Sequence, residues 1–145
     1  MKNQLWVSSL KEDEINSISH LSIEGEKLSA ITLDSTVVLF FGQEREFELR
    51  ILEEEFEIVL GGQIKEINVC YSAWSIPPQK VAGITCLSML INKVITLAEI
   101  SEVGVLRIIL EDGSSINVKP GGTYEAYTLV GAGEMIVCNG NGIIA

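Results

Sequence analysis

The sequence predicts a mainly β (α+β) fold, with antiparallel β-meander or sandwich-like sheets of about eight to nine strands and one short helix near residues 79–92. Apolar and polar residues alternate over short runs, which is the period of half-buried strands, and turn-forming residues separate these runs. With 145 residues, of which 47% are hydrophobic, the chain suits a single domain, residues 1–145, and can offset the entropy lost on folding.

A hairpin opens the predicted N-terminal β layer, residues 28–71. Residues 28–33 lead into the turn-forming pair Asp34–Ser35, and the run Val-Val-Leu-Phe-Phe follows at 37–41. A continuous run of β-forming apolar residues is typical of a strand buried on both faces, so we expect both faces of this strand to be buried.

The next strands of this layer are expected to be half-buried. Apolar residues alternate with charged ones over 45–51, and Phe56, Ile58 and Leu60 resume the two-residue period. Three consecutive glutamates at 53–55 separate these two runs and predict an acidic connection between two strands. A further strand is expected at about 64–71.

One segment changes period. Two consecutive prolines, Pro77 and Pro78, place residues 72–80 in a loop, because proline cannot join a central strand. Beyond this loop, apolar residues recur mostly every three positions, which lays a stripe along one side of a helix over 79–92. Pro78 is consistent with the start of this helix and Asn92 with its end. The stripe consists of Val81, Ile84, Leu87, Leu90 and Ile91.

The C-terminal meander, residues 93–145, has the most regular pattern. Strands are expected at 94–100 and 103–110, and Asp112–Gly113 predicts a type I′ hairpin turn into the following strand. Consecutive strands joined by such tight turns form an antiparallel meander. Further turns are expected at Pro120–Gly122, Gly131–Gly133 and Asn139–Gly142.

No residue pattern supports catalysis or cofactor binding. His20 is the single histidine, and the nucleophile-elbow and phosphate-loop motifs do not occur. We therefore expect a protein that is not an enzyme and has no catalytic, cofactor-binding or metal-binding residues. Cys70, Cys86 and Cys138 form no C-x-x-C pair, which argues against zinc, so we expect reduced structural thiols.

The net charge of −10 excludes several classes of partner. It repels the phosphates of nucleic acids and disfavours anionic membrane surfaces. No apolar run reaches the roughly 18 residues of a membrane span, and the apolar stretch ending at Leu10 is too short for the core of a signal peptide. We expect a cytoplasmic protein that binds neither nucleic acid nor membrane.

The acidic charge is concentrated towards the N-terminus. Residues 1–60 hold 13 acidic and 5 basic side chains, a net charge of −8, and residues 44–57 alone hold seven glutamates against Arg45 and Arg50. One interpretation is solubility and protection of an exposed strand edge. Another is a surface that attracts and docks a basic partner, and the two are compatible. The candidate partner-binding residues are Glu44, Glu46, Glu48, Glu53, Glu54, Glu55 and Glu57.

Trp74 is a further candidate for partner binding. It lies in the proline-bearing loop, and large aromatic side chains often anchor protein interfaces. The alternative is that it packs over the sheet, and the sequence favours neither interpretation.

Two C-terminal segments resemble an uncharacterised family of small bacterial β-rich proteins. Leu106–Pro120 contains a strand, an Asp-Gly turn and a strand that ends in proline, and Tyr124–Gly131 begins with Tyr-Glu-Ala-Tyr. Upstream, Ile31–Asp34 with Val37–Phe41, followed by Glu48–Ile51, looks like the opening hairpin of the same family.

The resemblance covers about residues 28–60 and 80–145. Tyr127 stands where a tryptophan is common, which is a conservative difference. The family has no established catalytic residues, so the resemblance implies a fold but transfers no site.

The chain is also similar in type to the immunity proteins of contact-dependent and other polymorphic toxin systems, which are small and acidic. Such proteins bind and neutralise the C-terminal toxin domain of a neighbouring cell's effector. Because these toxins are commonly basic nucleases, the similarity implies a basic toxin domain as the partner. The 44–57 stretch, together with Trp74, would then cover the toxin's active site.

The alternative function is a non-catalytic β domain that self-associates or binds a small ligand. The mean hydropathy of +0.32 is high for an isolated soluble monomer and indicates an apolar interface, which leaves a homodimer open.

Overall fold

Thirteen strands form in the part of the chain that the computed structural model describes, which is residues 7–12, 17–33, 36–53, 55–61, 67–72, 85–122, 124–131 and 134–143. The strands are β1 (Val7–Glu12), β2 (Ser17–Leu21), β3 (Leu28–Leu33), β4 (Val37–Phe41), β5 (Phe47–Ile51), β6 (Glu55–Leu60), β7 (Ile67–Ser72), β8 (Ile95–Ser101), β9 (Leu106–Leu110), β10 (Ser115–Val118), β11 (Tyr127–Gly131), β12 (Glu134–Asn139) and β13 (Gly142–Ile143).

The strands form two antiparallel sheets. The seven-stranded sheet has the order β1-β2-β8-β9-β10-β6-β7, and the six-stranded sheet has the order β13-β12-β11-β5-β4-β3. The predicted mainly β fold with antiparallel sheets and one short helix is therefore confirmed. The strand number exceeds the expected eight to nine, in part because β1 and β2, for which the sequence shows no clear alternation, add to the sheet through backbone pairing with β8.

The sheets do not follow the division into an N-terminal layer and a C-terminal meander. The chain crosses from one sheet to the other three times, between β2 and β3, between β5 and β6, and between β10 and β11. The last two crossings lie side by side, because the backbone N–H groups of Leu52 and Glu53 both donate to the carbonyl of Ala126. Each sheet therefore combines strands from both predicted segments.

The inward faces of both sheets contribute to one hydrophobic core. Leu49 and Leu129 enter it from the six-stranded sheet, and Ile58 and Ile108 from the seven-stranded sheet, all of them fully buried. Tyr127 adds a polar link, since its hydroxyl donates to the Gly104 carbonyl at 2.7 Å in the turn between β8 and β9. This bond connects the middle of one sheet to an end of the other.

The helix is shorter in the described chain than the predicted segment 79–92. Helical hydrogen bonding covers 85–88, with Met89 N–H donating to the Thr85 carbonyl, and turns follow to Asn92. Asn92 takes a left-handed φ of 74°, which ends the segment. The three-residue spacing still buries Leu87 and Leu90 in the core. Residues 79–84, including the predicted stripe members Val81 and Ile84, lie outside the described residues.

The predicted hairpin between β9 and β10 is confirmed, but its turn is not type I′. A type I′ turn needs positive φ at both central residues, whereas of Asp112 and Gly113 only Gly113 has it, at 89°. The Asp112 carboxylate instead accepts the Ser114 N–H at 2.9 Å, which stabilises a wider turn. Likewise, strand β9 begins at Leu106 rather than at residue 103, because a turn with φ +82° at Gly104 precedes it.

The described part of the chain contains no helix with the length and apolar character that crossing a membrane requires.

Candidate functional site

The first two glutamates of the acidic stretch lie in the turn between β4 and β5. The alternation predicted from residue 45 begins only at Phe47, because Arg45 takes a left-handed φ of 58° in this turn. Glu44 and Glu46 are both exposed, and the Glu46 carboxylate accepts the Glu44 N–H at 2.5 Å. The turn therefore presents two carboxylates at one end of the sandwich.

Glu48 lies in the middle of β5, on the outward face of the six-stranded sheet. It is opposite Phe40 on one neighbouring strand and Val130 on the other. It forms an ion pair with Arg50, two residues further along the same strand and on the same face. This side chain is half-buried and already has a basic partner.

Glu53 lies at the opposite end of the sandwich from Glu44 and Glu46. Strand β5 separates them by five residues, or about 17 Å. The Glu53 carboxylate accepts the Gly121 N–H at 2.6 Å and the Tyr124 hydroxyl at 3.2 Å. It therefore holds the crossing between β10 and β11 in place.

Glu57 lies on the other sheet. Because Phe56 and Ile58 of β6 face the core, Glu57 faces outward from the seven-stranded sheet, where the Asn117 side-chain amide donates to it at 3.3 Å. Glu55 occupies the β6 position opposite Ser72. The side chain of Glu55, and all of Glu54 and Trp74, lie outside the described residues.

The interpretation of residues 44–57 as one docking surface requires a continuous acidic face. The described residues of this stretch do not form one. Its described side chains occupy both ends of β5 and the outward faces of two different sheets. The physical reason is that the chain changes sheets between β5 and β6, so neighbours in sequence point away from each other. Whether these residues bind a partner remains a prediction.

The outward face of the six-stranded sheet is a surface that the sequence interpretation missed. Strand β4 is buried on one face only, since Val38 and Phe40 are partly exposed, contrary to the prediction for 37–41. Cross-strand pairing aligns these side chains with others from β3, β11 and β12. We call this surface the apolar face; around the Glu48–Arg50 pair it contains Ala30, Val38, Phe40, Val130, Met135 and Val137.

The apolar character of this face was visible in the sequence as the unbroken run at 37–41. The run has two explanations, a strand buried in the core on both sides or a strand with an exposed apolar side. The exposed apolar side is the correct explanation for this face, since Met135 has 59% of its surface exposed.

The outward face of the seven-stranded sheet is mixed, since a row of charged and polar residues lies beside a row that contains the partly exposed Leu97, Ile109 and Val59. Strand pairing places five polar or charged residues side by side across β2, β8, β9, β10 and β6. We call this set the polar row; it consists of His20, Glu99, Arg107, Asn117 and Glu57. Acidic and basic neighbours alternate in part of this row, which stabilises adjacent strands by cross-strand attraction.

An open cleft of about 330 Å³ lies at the end of the sandwich that holds Glu53. Its walls come from the β8–β9 turn, residues 119–122 and residues 140–141. Glycines make this convergence possible, since a Cβ on Gly104 would lie 2.0 Å from the Asn139 carbonyl oxygen. Lys119 supplies a charged side chain to the cleft.

The titratable groups with altered pKa values are buried or structural. Burial raises the pKa of Tyr127, and burial raises that of Cys138 to about 11, so both stay protonated at neutral pH. Cys86 and Cys138 are buried free thiols, and burial also raises the pKa of Cys86. Burial acts to raise the pKa of Asp112, but hydrogen bonds from Lys93 and Ser114 outweigh it and hold that pKa below its usual range.

These groups are suited to packing rather than to nucleophilic chemistry, because a thiol must ionise to react. Cys70 lies in β7, and its side chain is outside the described residues. Across the described ranges, no three His, Cys, Asp or Glu side chains come together as metal ligands would.

Comparison with known proteins gives a single finding. A model described as a family of unknown function (DUF6188) matches residues 19–145, which includes both segments that carried the resemblance and the region between them. Searches of curated proteins and of solved structures gave no match.

Proposed function

The chain belongs to the DUF6188 family of unknown function, and we propose that it binds and neutralises a basic toxin domain, as an immunity protein does. The proposal rests on the charge of this chain and on where its carboxylates lie. The family description itself names no activity.

The observation that carries the proposal is the exposed carboxylate pair Glu44 and Glu46. Unlike Glu48, Glu53 and Glu57, these two side chains project from a turn at the end of the sandwich rather than lying half-buried between neighbours. A cationic active site could therefore be covered here with little rearrangement of the inhibitor.

Further carboxylates surround this turn. Gly42 N–H donates to the Lys27 carbonyl, Lys27 pairs with Val94, and the Val94 N–H donates to the Glu111 carboxylate. We call this region the acidic end; it contains Glu26, Glu44, Glu46, Glu111 and Asp112. Lys93 neutralises Asp112 through a contact of 2.8 Å. Lys27 and Arg45 lie at the same end, and its five carboxylates still outnumber its three basic side chains.

Charge complementarity explains why such a surface suits an inhibitor. A chain of net charge −10 attracts a basic domain over a distance comparable to the Debye length, about 8 Å at physiological salt, and so speeds their encounter. Association rates then fall as ionic strength rises. A nuclease whose cationic site is covered in this way cannot reach its phosphate backbone.

The first test is whether a gene adjoining that of this chain encodes a large exported protein with a toxic C-terminal domain, and that domain is then used for binding. We expect nanomolar or tighter binding of that domain and survival of cells that express both proteins. Changing both turn residues, Glu44→Lys and Glu46→Lys, should weaken binding by at least roughly tenfold, mainly through slower association.

The matched control carries the same change of charge at the other end of the sandwich, Glu102→Lys with Glu125→Lys, where both side chains are exposed. If both double variants weaken binding equally, the acidic end has no special role and only total charge matters. If a neighbouring toxin domain does not bind at all, the proposed function is wrong.

A small-ligand-binding domain is the second candidate, and the cleft supports it. Its volume of about 330 Å³ lies at the lower limit of typical ligand sites. Fragments that bind there should shift the amide resonances of Gly121, Gly122 and Gly140, and Val105→Trp should abolish those shifts. An exposed control, Met89→Trp, should leave them unchanged.

A further inference from the structure

The apolar face carries a pattern that the proposed function does not use. Its side chains form two parallel rows across β3, β4, β5, β11 and β12. The first row is Ala30, Phe40, Glu48, Val130 and Met135, and the second row is Thr32, Val38, Arg50, Thr128 and Val137. Each row has one charged residue, in the third position, and the two charges are opposite.

An exposed sheet face of this composition favours association. Contiguous apolar surface on a soluble protein marks an interaction site, because removing it from water is favourable. Arg50, 53% exposed, and Met135, 59% exposed, still have much of their surface in contact with solvent. A complex would therefore be stabilised by a partner that covers these apolar side chains and pairs with Glu48 and Arg50.

We propose that the apolar face binds a second copy of this chain, with Glu48 of each protomer facing Arg50 of the other. A twofold axis lying in the interface, perpendicular to β5 and passing between these two residues, exchanges the two rows. The first row of one protomer then meets the second row of its partner, as an isologous interface requires.

The row exchange produces matching contacts along the whole face. Phe40 faces Val38 of the other copy, and Met135 faces Val137 of the other copy. Two new ion pairs form at the centre, in addition to the one within each chain. Sheets that pack face to face in this way lie about 10 Å apart, which their interdigitating side chains fill.

Charge favours this face over the acidic end for self-association. Two chains of net charge −10 repel each other, so a stable contact needs a surface whose own charge is balanced. The apolar face meets this condition, because Glu48 and Arg50 are its charged residues among the described positions and they cancel. The acidic end does not, and it stays outside the rows that form the contact.

The experiment is sedimentation equilibrium of the full chain at physiological salt. We expect the mass of a dimer, twice the 15.8 kDa of one chain. Glu48→Arg and Arg50→Glu, made separately, each place like charges opposite one another and should weaken dimerisation by at least roughly tenfold. The double variant, Glu48→Arg with Arg50→Glu, restores opposite charges across the axis and should restore the dimer.

Matched controls lie on the polar row, where Glu99 and Arg107 are cross-strand neighbours on the other sheet. Glu99→Arg and Arg107→Glu should leave the mass unchanged, and circular dichroism with urea unfolding would confirm that every variant is folded. A monomeric wild-type chain would overturn the proposal. So would a double variant that remains as dissociated as the two single ones.

The result is separable from the proposed function. Loss of the dimer with full toxin binding retained leaves the acidic end as the toxin site. A monomer whose toxin binding is lost on Phe40→Lys would instead assign the apolar face to the toxin and refute the dimer.

Discussion

The two outward sheet faces differ although both belong to sheets that share one core. The polar row on the seven-stranded sheet holds His20, Glu99, Arg107, Asn117 and Glu57, whereas the six-stranded sheet exposes an apolar face around one ion pair. A sheet that faces only water is typically polar on that side. On the seven-stranded sheet the polar row lies beside the partly exposed Leu97, Ile109 and Val59, so the two faces differ in how their charges are spread and not in whether apolar residues are exposed.

The comparison also separates two uses of charge. On the polar row, charged residues are spread over several strands and stabilise neighbours within one chain. On the described part of the apolar face, the charged residues are Glu48 and Arg50 of β5, which lie among apolar residues and two threonines, Thr32 and Thr128. Charges spread over several strands favour solubility. A single pair of opposite charges within an apolar surface would orient the two partners in the proposed dimer.

The largest expected effect is a loss of folding stability at an inward position of the six-stranded sheet. Comparing it with the loss at an outward position tests whether the apolar face is exposed or packed within one chain. Leu49→Ala, at a fully buried position of β5, should reduce the free energy of unfolding by about 2–5 kcal/mol. Val38→Ala, on the outward side of the neighbouring strand, should cost about 1 kcal/mol or less when measured at concentrations that favour the monomer.

Urea unfolding of both variants provides the comparison. Equal losses for the inward and outward variants would show that the apolar face is already packed within one chain. The contrast between the two outward faces would then be wrong.

An intermediate loss of folding stability is expected at alkaline pH, because of ionisable groups on the core side of the six-stranded sheet. The described inward side chains of the seven-stranded sheet are not ionisable, whereas this sheet buries Tyr127 and Cys138. Burial raises the pKa of Cys138 from 9.0 to about 11, so between these values the unfolded chain loses a proton that the folded chain keeps. Stability therefore falls as pH rises through this window, by at most about 2–3 kcal/mol.

The measurement is urea unfolding at pH 8 and at pH 10.5. Cys138→Ala removes the thiol and should show a smaller loss between the two pH values than the natural chain. An identical loss in both would assign the alkaline sensitivity to other groups, Tyr127 and Cys86 among them.

The smallest effect is expected on the polar row. Asn117 donates to Glu57 at 3.3 Å and to the Ser115 hydroxyl at 3.1 Å, both partly buried contacts. Asn117→Ala should cost roughly 0.2–1 kcal/mol, and a double-mutant cycle with Glu57→Ala should give a coupling within that range. It should leave the oligomeric state unchanged. A change in sedimentation mass would show that the seven-stranded sheet also takes part in association.

Local patterns were enough to locate most of the strands. The alternation at 47–51 and 56–60 correctly predicted which side chains face the core, since adjacent residues in a strand point to opposite sides. The Asp112–Gly113 hairpin was also found, although its turn type was wrong. Turn type depends on the carboxylate of Asp112 bonding to Ser114, which spacing alone does not reveal.

The candidate site was less predictable. The seven glutamates are neighbours in sequence, but strand β5 and the crossing to β6 place the described side chains among them on two sheets and at both ends of the sandwich. The residues of the apolar face are distant in sequence, since Phe40, Glu48 and Val130 become neighbours only when β11 pairs with β5. No window of the sequence contains them together.

The sequence by itself determined the strand-rich class, the alternation along individual strands, the position of turns and the net charge of −10. These properties depend on the covalent order of residues and on interactions a few positions apart. Only the tertiary structure decided which strands share a sheet, which outward face stays apolar and where the carboxylates collect. These depend on pairing between strands far apart in the chain, and the register of that pairing places Glu48 and Arg50 at the centre of an exposed apolar face.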